Sequence, residues 1–101
     1  MKDHRILSPG QEIATEEELF NAVLNLRTTK ECRAFFQDLC TPAELQAMKD
    51  RWNVAERLTE GRTYREIHDV TGVSVTTIGR VARYLSSGSG GYKTILQRIM
   101  K

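Results

Sequence analysis

The sequence predicts an all-α fold of six helices, and three observations carry that reading. Four Thr-x-x-Glu helix-start signatures occur, at Thr15/Glu18, Thr28/Glu31, Thr41/Glu44 and Thr63/Glu66. In each, the hydroxyl can accept the N–H of the third helical residue while the carboxylate reaches back to the cap. Apolar residues then advance by three or four, which is the helical period. No stretch alternates convincingly as a strand.

Residues 1–14 (MKDHRILSPGQEIA) lack a sustained period and contain Pro9-Gly10, a turn signal, so they read as a mobile or partner-dependent arm. His4 and Arg5 lie in that arm. The helix expected after Thr15 carries Leu19, Phe20, Val23, Leu24 and Leu26, an apolar face wider than a lone amphipathic helix needs. Glu16, Glu17 and Glu18 are favourable charge at its N-terminus rather than catalytic carboxylates. Thr28 opens a helix with Cys32, Phe35, Phe36 and Leu39. Thr41-Pro42-Ala43-Glu44 is the strongest start, because proline at the first helical position loses no hydrogen bond. Leu45, Met48, Trp52, Ala55 and Leu58 follow on one face, and the helix ends near Gly61. Trp52, with Met48 and Ala55, is read as core packing.

The segment Thr63 to Leu85 reads as two short helices with a tight turn between them. Thr63 and Glu66 start the first, which has Ile67 and Val70 as its apolar face. Gly72 supplies the left-handed exit, and Ser74 caps the second helix. Ile78, Val81, Ala82 and Leu85 make the buried stripe of that second helix. Thr76, Arg80 and Arg83 fall on the opposite side. A helix, a glycine turn and a second helix with a hydroxyl- and arginine-bearing outer face form a DNA-binding helix-turn-helix. An ordinary helical hairpin with a solvated basic face is the alternative. Ser86 to Gly91 is a linker by composition. A last short helix, 92–100, carries Tyr92, Ile95, Leu96, Ile99 and Met100, and is too short to stand without a groove on its own domain or a neighbour.

The chain has 101 residues, 40% hydrophobic and 28% charged, the composition of one globular domain. No apolar run reaches the ~20 residues of a membrane span and no signal segment opens it, so a cytoplasmic protein with no membrane partner is expected. Cys32 and Cys40 lack metal-site spacing and read as small buried thiols, with a disulfide as the alternative. No catalytic constellation, phosphate loop or metal motif occurs, so neither an enzyme nor a bound cofactor is expected. The net charge of +2 is unevenly spread. Residues 1–60 hold 8 Lys/Arg against 11 Asp/Glu, whereas residues 61–101 hold 7 against 2. The basic portion contains the helix-turn-helix, as phosphate binding requires. The wide apolar faces before residue 60, and the few base contacts one recognition helix can make, both point to a homodimer.

Thr41-Pro42-x-Glu44, Arg51, Gly61, Arg65-Glu66, Gly72 and Thr77-Ile78-x-Arg80 together resemble the bacterial Trp repressor. ECRAFFQDLCT at 31–41, VAERLTEGRTYREI at 54–67 and Tyr92-Lys93 are more similar still to its YerC/YecD group of Trp-repressor-like relatives. The resemblance spans residues 15–100. It implies a six-helix Trp-repressor-like fold, an intertwined homodimer using the 92–100 helix, and binding of double-stranded operator DNA in the major groove as a transcriptional regulator, a repressor. Carried over position by position, it implies that Arg65, His68, Val75, Thr76, Thr77 and Gly79 face DNA. Thr41, Arg51 and Arg80 match positions that hold the family's tryptophan effector. Val81 and Tyr84, however, stand where the family has small residues. Added bulk there costs about 1–3 kcal/mol or forces rearrangement, so no tryptophan response is expected and the pocket is read as filled. Arg80 and Arg83 are then free for phosphate or salt bridges. Two alternatives stay open. One is a sensor that binds another carboxylate through Thr41, Arg51 and Arg80. The other is an interaction module that has lost DNA binding.

Overall fold

A computed structural model of the chain describes residues 6–100, so His4 and Arg5 lie outside the described residues. It contains six helices: α1 (Pro9–Leu24), α2 (Thr29–Leu39), α3 (Pro42–Thr59), α4 (Tyr64–Thr71), α5 (Val75–Ser87) and α6 (Gly91–Ile99). No strand occurs among the described residues. The expected all-α class and helix order are therefore observed. The chain divides into two compact units, one reaching to Leu39 and the other running from Cys40 onward.

The first unit holds α1 and α2. α1 starts earlier than the expected helix after Thr15. Residues 9–14 are helical, not an arm, because Ser8 is the cap. The Gln11 N–H donates to Ser8 Oγ at 3.2 Å and the Ser8 N–H donates to Gln11 Oε1 at 2.8 Å. Pro9 sits at the first helical position, where proline is an initiator rather than a breaker. Thr15 is then mid-helix, and its hydroxyl donates back to the Gln11 carbonyl. Thr28 does open α2 as expected. Its Oγ1 accepts the Glu31 N–H at 3.0 Å, and the Glu31 carboxylate reaches one residue further back than expected, to the Arg27 N–H at 2.8 Å. Phe35 and Phe36 meet edge to face at 5.4 Å. No residue of α1 or α2 is buried. Ile13 (62%), Phe20 (53%) and Leu24 (79%) are largely exposed.

The second unit holds α3 to α6 and the core. Val54, Ala55, Ile67, Val73, Ile78, Val81 and Leu96 are buried there, with Trp52, Leu58, Leu85 and Tyr92 packed around them. Ile67, Ile78 and Val54 are fully enclosed, and each such side chain stabilises by about 1.5–3 kcal/mol. That burial holds α4, which at 8 residues could not persist alone. Both Thr41/Glu44 and Thr63/Glu66 form complete reciprocal caps. Val70 does not join the apolar face expected of it and is 61% exposed. Val54 and Val73 take up that burial instead. Two boundaries also move. Ser86 and Ser87 extend α5, and Gly91 begins α6, so the expected linker shrinks to residues 88–90. Leu96 anchors α6 into the core of its own unit, and Tyr92 stacks on Trp52 at 6.3 Å. Ile95, Ile99 and Met100 remain exposed on its outer side. Cys32 and Cys40 are both free thiols, each half-buried.

Candidate nucleic-acid interface

The turn between α4 and α5 is closed by side chains as well as by backbone. Gly72 adopts φ 75°, a left-handed conformation that glycine reaches without steric cost, and its N–H donates to the His68 carbonyl. Thr71 Oγ1 donates to the Ile67 carbonyl at 2.6 Å and accepts the Val73 N–H at 3.1 Å. His68 Nδ1 lies 2.8 Å from the Val73 carbonyl. A carbonyl only accepts, so Nδ1 carries the proton in this contact. Val73 plugs the turn into the core at 8% exposure. Ser74 then starts α5, its Oγ accepting the Thr77 N–H at 3.2 Å and donating to Thr77 Oγ1 at 3.1 Å.

This wiring sorts the residues expected to face DNA. Ile78 and Val81 are buried, which turns the opposite side of α5 outward. Val75 and Thr76 at its start, and Arg80 and Arg83 beyond, are exposed, as is Arg65 on α4. His68 and Thr77 also make hydrogen bonds within the turn. The ring of His68 braces the turn, and the hydroxyl of Thr77 belongs to the cap. Gly79 is half-buried, and a Cβ placed on it would meet only Tyr64 Cε2 at 4.0 Å, an ordinary contact. The protein's own packing therefore does not require glycine there. Arg80 and Arg83 make no ion pair among the described residues. Ion pairs do join Arg57 and Arg62 to glutamates around the end of α3.

Arg51 and Arg80 come together, lining an open cleft of about 520 Å³ with Trp52, Val81, Tyr84 and Tyr92. Thr41 is not part of its wall, and its Oγ1 accepts the Glu44 N–H. The expectation that Val81 and Tyr84 fill this space is corrected. Val81 is drawn into the core at 1% exposure, and Tyr84 lines the cleft rather than closing it. A second, apolar cleft of about 640 Å³ lies between Leu58, Leu85, Leu96 and Met100. No cluster of metal-binding side chains occurs among the described residues. No helix among them is long and apolar enough to cross a membrane.

The sequence and the fold both have counterparts. Residues 14–100 match the family model described as Trp repressor protein. The YerC protein of Bacillus subtilis (strain 168) is 45% identical over 90 residues, covering 89% of this chain and 84% of that protein. A solved TrpR-like protein from Eubacterium eligens ATCC 27750 superposes with TM-score 0.79 at 42% identity, over 82% of this chain and 86% of that one. A solved structure from Staphylococcus aureus superposes with TM-score 0.82 at 39% identity, over 92% and 95% of the two chains.

Proposed function

The chain belongs to the Trp repressor family, and from that premise we propose that it is a DNA-binding transcriptional repressor. It reads operator DNA as a homodimer, with α5 in the major groove. The observation that carries this reading is the outward face of α5. Val75, Thr76, Arg80 and Arg83 stand exposed on a helix whose other side is fixed in the core. Thr76 can bond a base edge, the methyls of Val75 and Thr76 can meet thymine, and Arg65 with the α5 arginines can hold phosphate. Dimerisation is supported by the apolar side chains left exposed, Phe20 and Leu24 on α1 and Ile99 and Met100 on α6. Selection from random duplexes tests the proposal by yielding a preferred site. Replacing Arg65 and Thr76 together with alanine abolishes binding to that site. An interaction module that had lost DNA binding would yield no preferred site and no salt-dependent affinity.

One observation favours a second reading, that of a sensor for a small carboxylate. Arg51 and Arg80 line the open cleft, where they could hold an anionic ligand. Under that reading, adding amino acids changes the affinity for DNA. Tryptophan is not the ligand we propose, because the Tyr84 ring already rests against Arg80 and Thr41 does not line the cleft. A saturable, stoichiometric tryptophan isotherm in titration calorimetry refutes that exclusion.

A further inference from the structure

Two of the exposed cations on α5 share one support. The Arg80 guanidinium carbon lies 4.9 Å from the centre of the Tyr84 ring, and that of Arg83 lies 5.7 Å from it. Tyr84 is backed in turn by the end of its helix. The Gly88 N–H donates to the Tyr84 carbonyl at 3.0 Å. A Cβ at Gly88 would stand 2.5 Å from that carbonyl oxygen and 3.1 Å from Tyr84 Cδ1. Glycine therefore lets the chain close tightly against this residue.

We propose that Tyr84 is a positioning residue, its ring holding Arg80 and Arg83 in place as a pair of phosphate contacts. This deepens the DNA-binding reading and rests on it. A carboxylate partner would order each arginine but cancel its charge. The face of an aromatic ring attracts a guanidinium through its quadrupole and leaves the charge intact. Neither arginine has a carboxylate partner among the described residues. Two long side chains are thus ordered before they meet DNA, and the entropy lost on binding falls accordingly.

The test is fluorescence anisotropy on duplexes of random sequence across a salt series, comparing wild type with Tyr84→Leu and Tyr84→Phe. Loss of a surface cation–π contact corresponds to about two- to fivefold in affinity for each arginine, so Tyr84→Leu should weaken binding by about 5- to 30-fold. Tyr84→Phe, which keeps the ring, should stay near wild type. In an Arg80→Ala/Arg83→Ala background, Tyr84→Leu should have no further effect, an outcome a purely structural role would not produce. Wild-type affinity in Tyr84→Leu, or the same loss persisting without the arginines, overturns the proposal. Tyr84 is 42% exposed, which favours folding of the leucine variant. Side-chain proton shifts of Arg80 and Arg83 in the wild type give a measurement that needs no variant. Ring-current shifts upfield are expected, and unshifted resonances overturn the clamp. A wild type without salt-dependent DNA binding instead brings down the functional reading itself, so the two failures are distinct.

Discussion

Gly79→Ala separates what the protein needs at that position from what DNA would need. The residue lies inside α5 with an ordinary helical backbone, because the positive-φ glycines are Gly61, Gly72 and Gly90. An added Cβ finds Tyr64 Cε2 at 4.0 Å as its nearest neighbour, so it enters without a clash. Glycine in a helix interior costs about 1 kcal/mol relative to alanine, through backbone entropy in the unfolded chain and lost shielding of the helix. The variant should therefore be more stable by roughly 0.5–1 kcal/mol, a rise in Tm of about 2–8 °C for a domain of this size. Melting followed by circular dichroism reads this, provided the protomer concentration is held constant, since a dimer melts higher when concentrated. A lower Tm refutes the claim of free space. DNA binding is the second readout. If the α5 backbone passes close to the duplex at Gly79, the methyl should cost tenfold or more at a selected site, by displacing contacts worth about 1–3 kcal/mol. Unchanged affinity with a raised Tm would show that the glycine is not kept for a close approach.

His68→Ala removes the donor to the Val73 carbonyl and should lower stability by about 0.5–1.5 kcal/mol. The slope of log affinity against log salt should stay unchanged, because the ring braces the turn rather than neutralising a phosphate; a reduced slope contradicts that role. Gly72→Ala places a Cβ in a left-handed conformation and should cost about 1 kcal/mol, visible as a lower Tm with the helical signal retained. On the proposed homodimer reading, Leu24→Asp puts a charge on the exposed apolar face of α1 and should yield monomers in sedimentation equilibrium where the wild type is dimeric. A variant that stays dimeric removes α1 from the proposed interface.

Much of the fold was legible because its helix starts are written in short, local chemistry. Thr41-Pro42-x-Glu44 and Thr63-x-x-Glu66 need only a hydroxyl and a carboxylate at fixed spacing, and both caps form as read. Ser8-Pro9-x-Gln11 is the same signature with a serine and an amide, yet Pro9-Gly10 reads as a turn when taken as a dipeptide. Serine before proline, with glutamine two residues on, was the signal available for placing α1 correctly. The core was less legible. Val54 and Val73 are buried and Val70 is exposed, and the apolar period cannot decide among neighbouring valines because helix orientation is set by tertiary packing. His68 and Thr77 illustrate the limit for the site. Sequence alignment gives a side chain's position on the helix but not whether a carbonyl or a cap has already claimed its polar atoms. Tyr84 was legible as bulk, but its role as a platform for two cations depends on rotamers that no spacing records.

The hydrogen bonds around the turn also bear on what α5 can read. Of the polar side chains around the turn, Thr71 and Ser74 both donate and accept within it, Thr63 and Thr77 each accept one hydrogen bond, and His68 Nδ1 is held at the Val73 carbonyl. On the proposed reading, the Thr76 hydroxyl and the O–H of Thr77 are then the groups left for a base edge, and Val75 offers only methyl contact with thymine. Arg65, Arg80 and Arg83 supply charge, which adds affinity for any sequence and only positions the helix. One protomer should therefore bind DNA with a marked salt dependence and little discrimination. Selectivity must come from elsewhere, either from two such faces set about one helical turn apart, or from duplex shape that suits their spacing. The apolar surface left exposed on α1 and the narrow readout of α5 thus make the same demand. On the proposed homodimer reading, specificity is a property of the pair, and a monomeric variant should lose the preferred site long before it loses DNA.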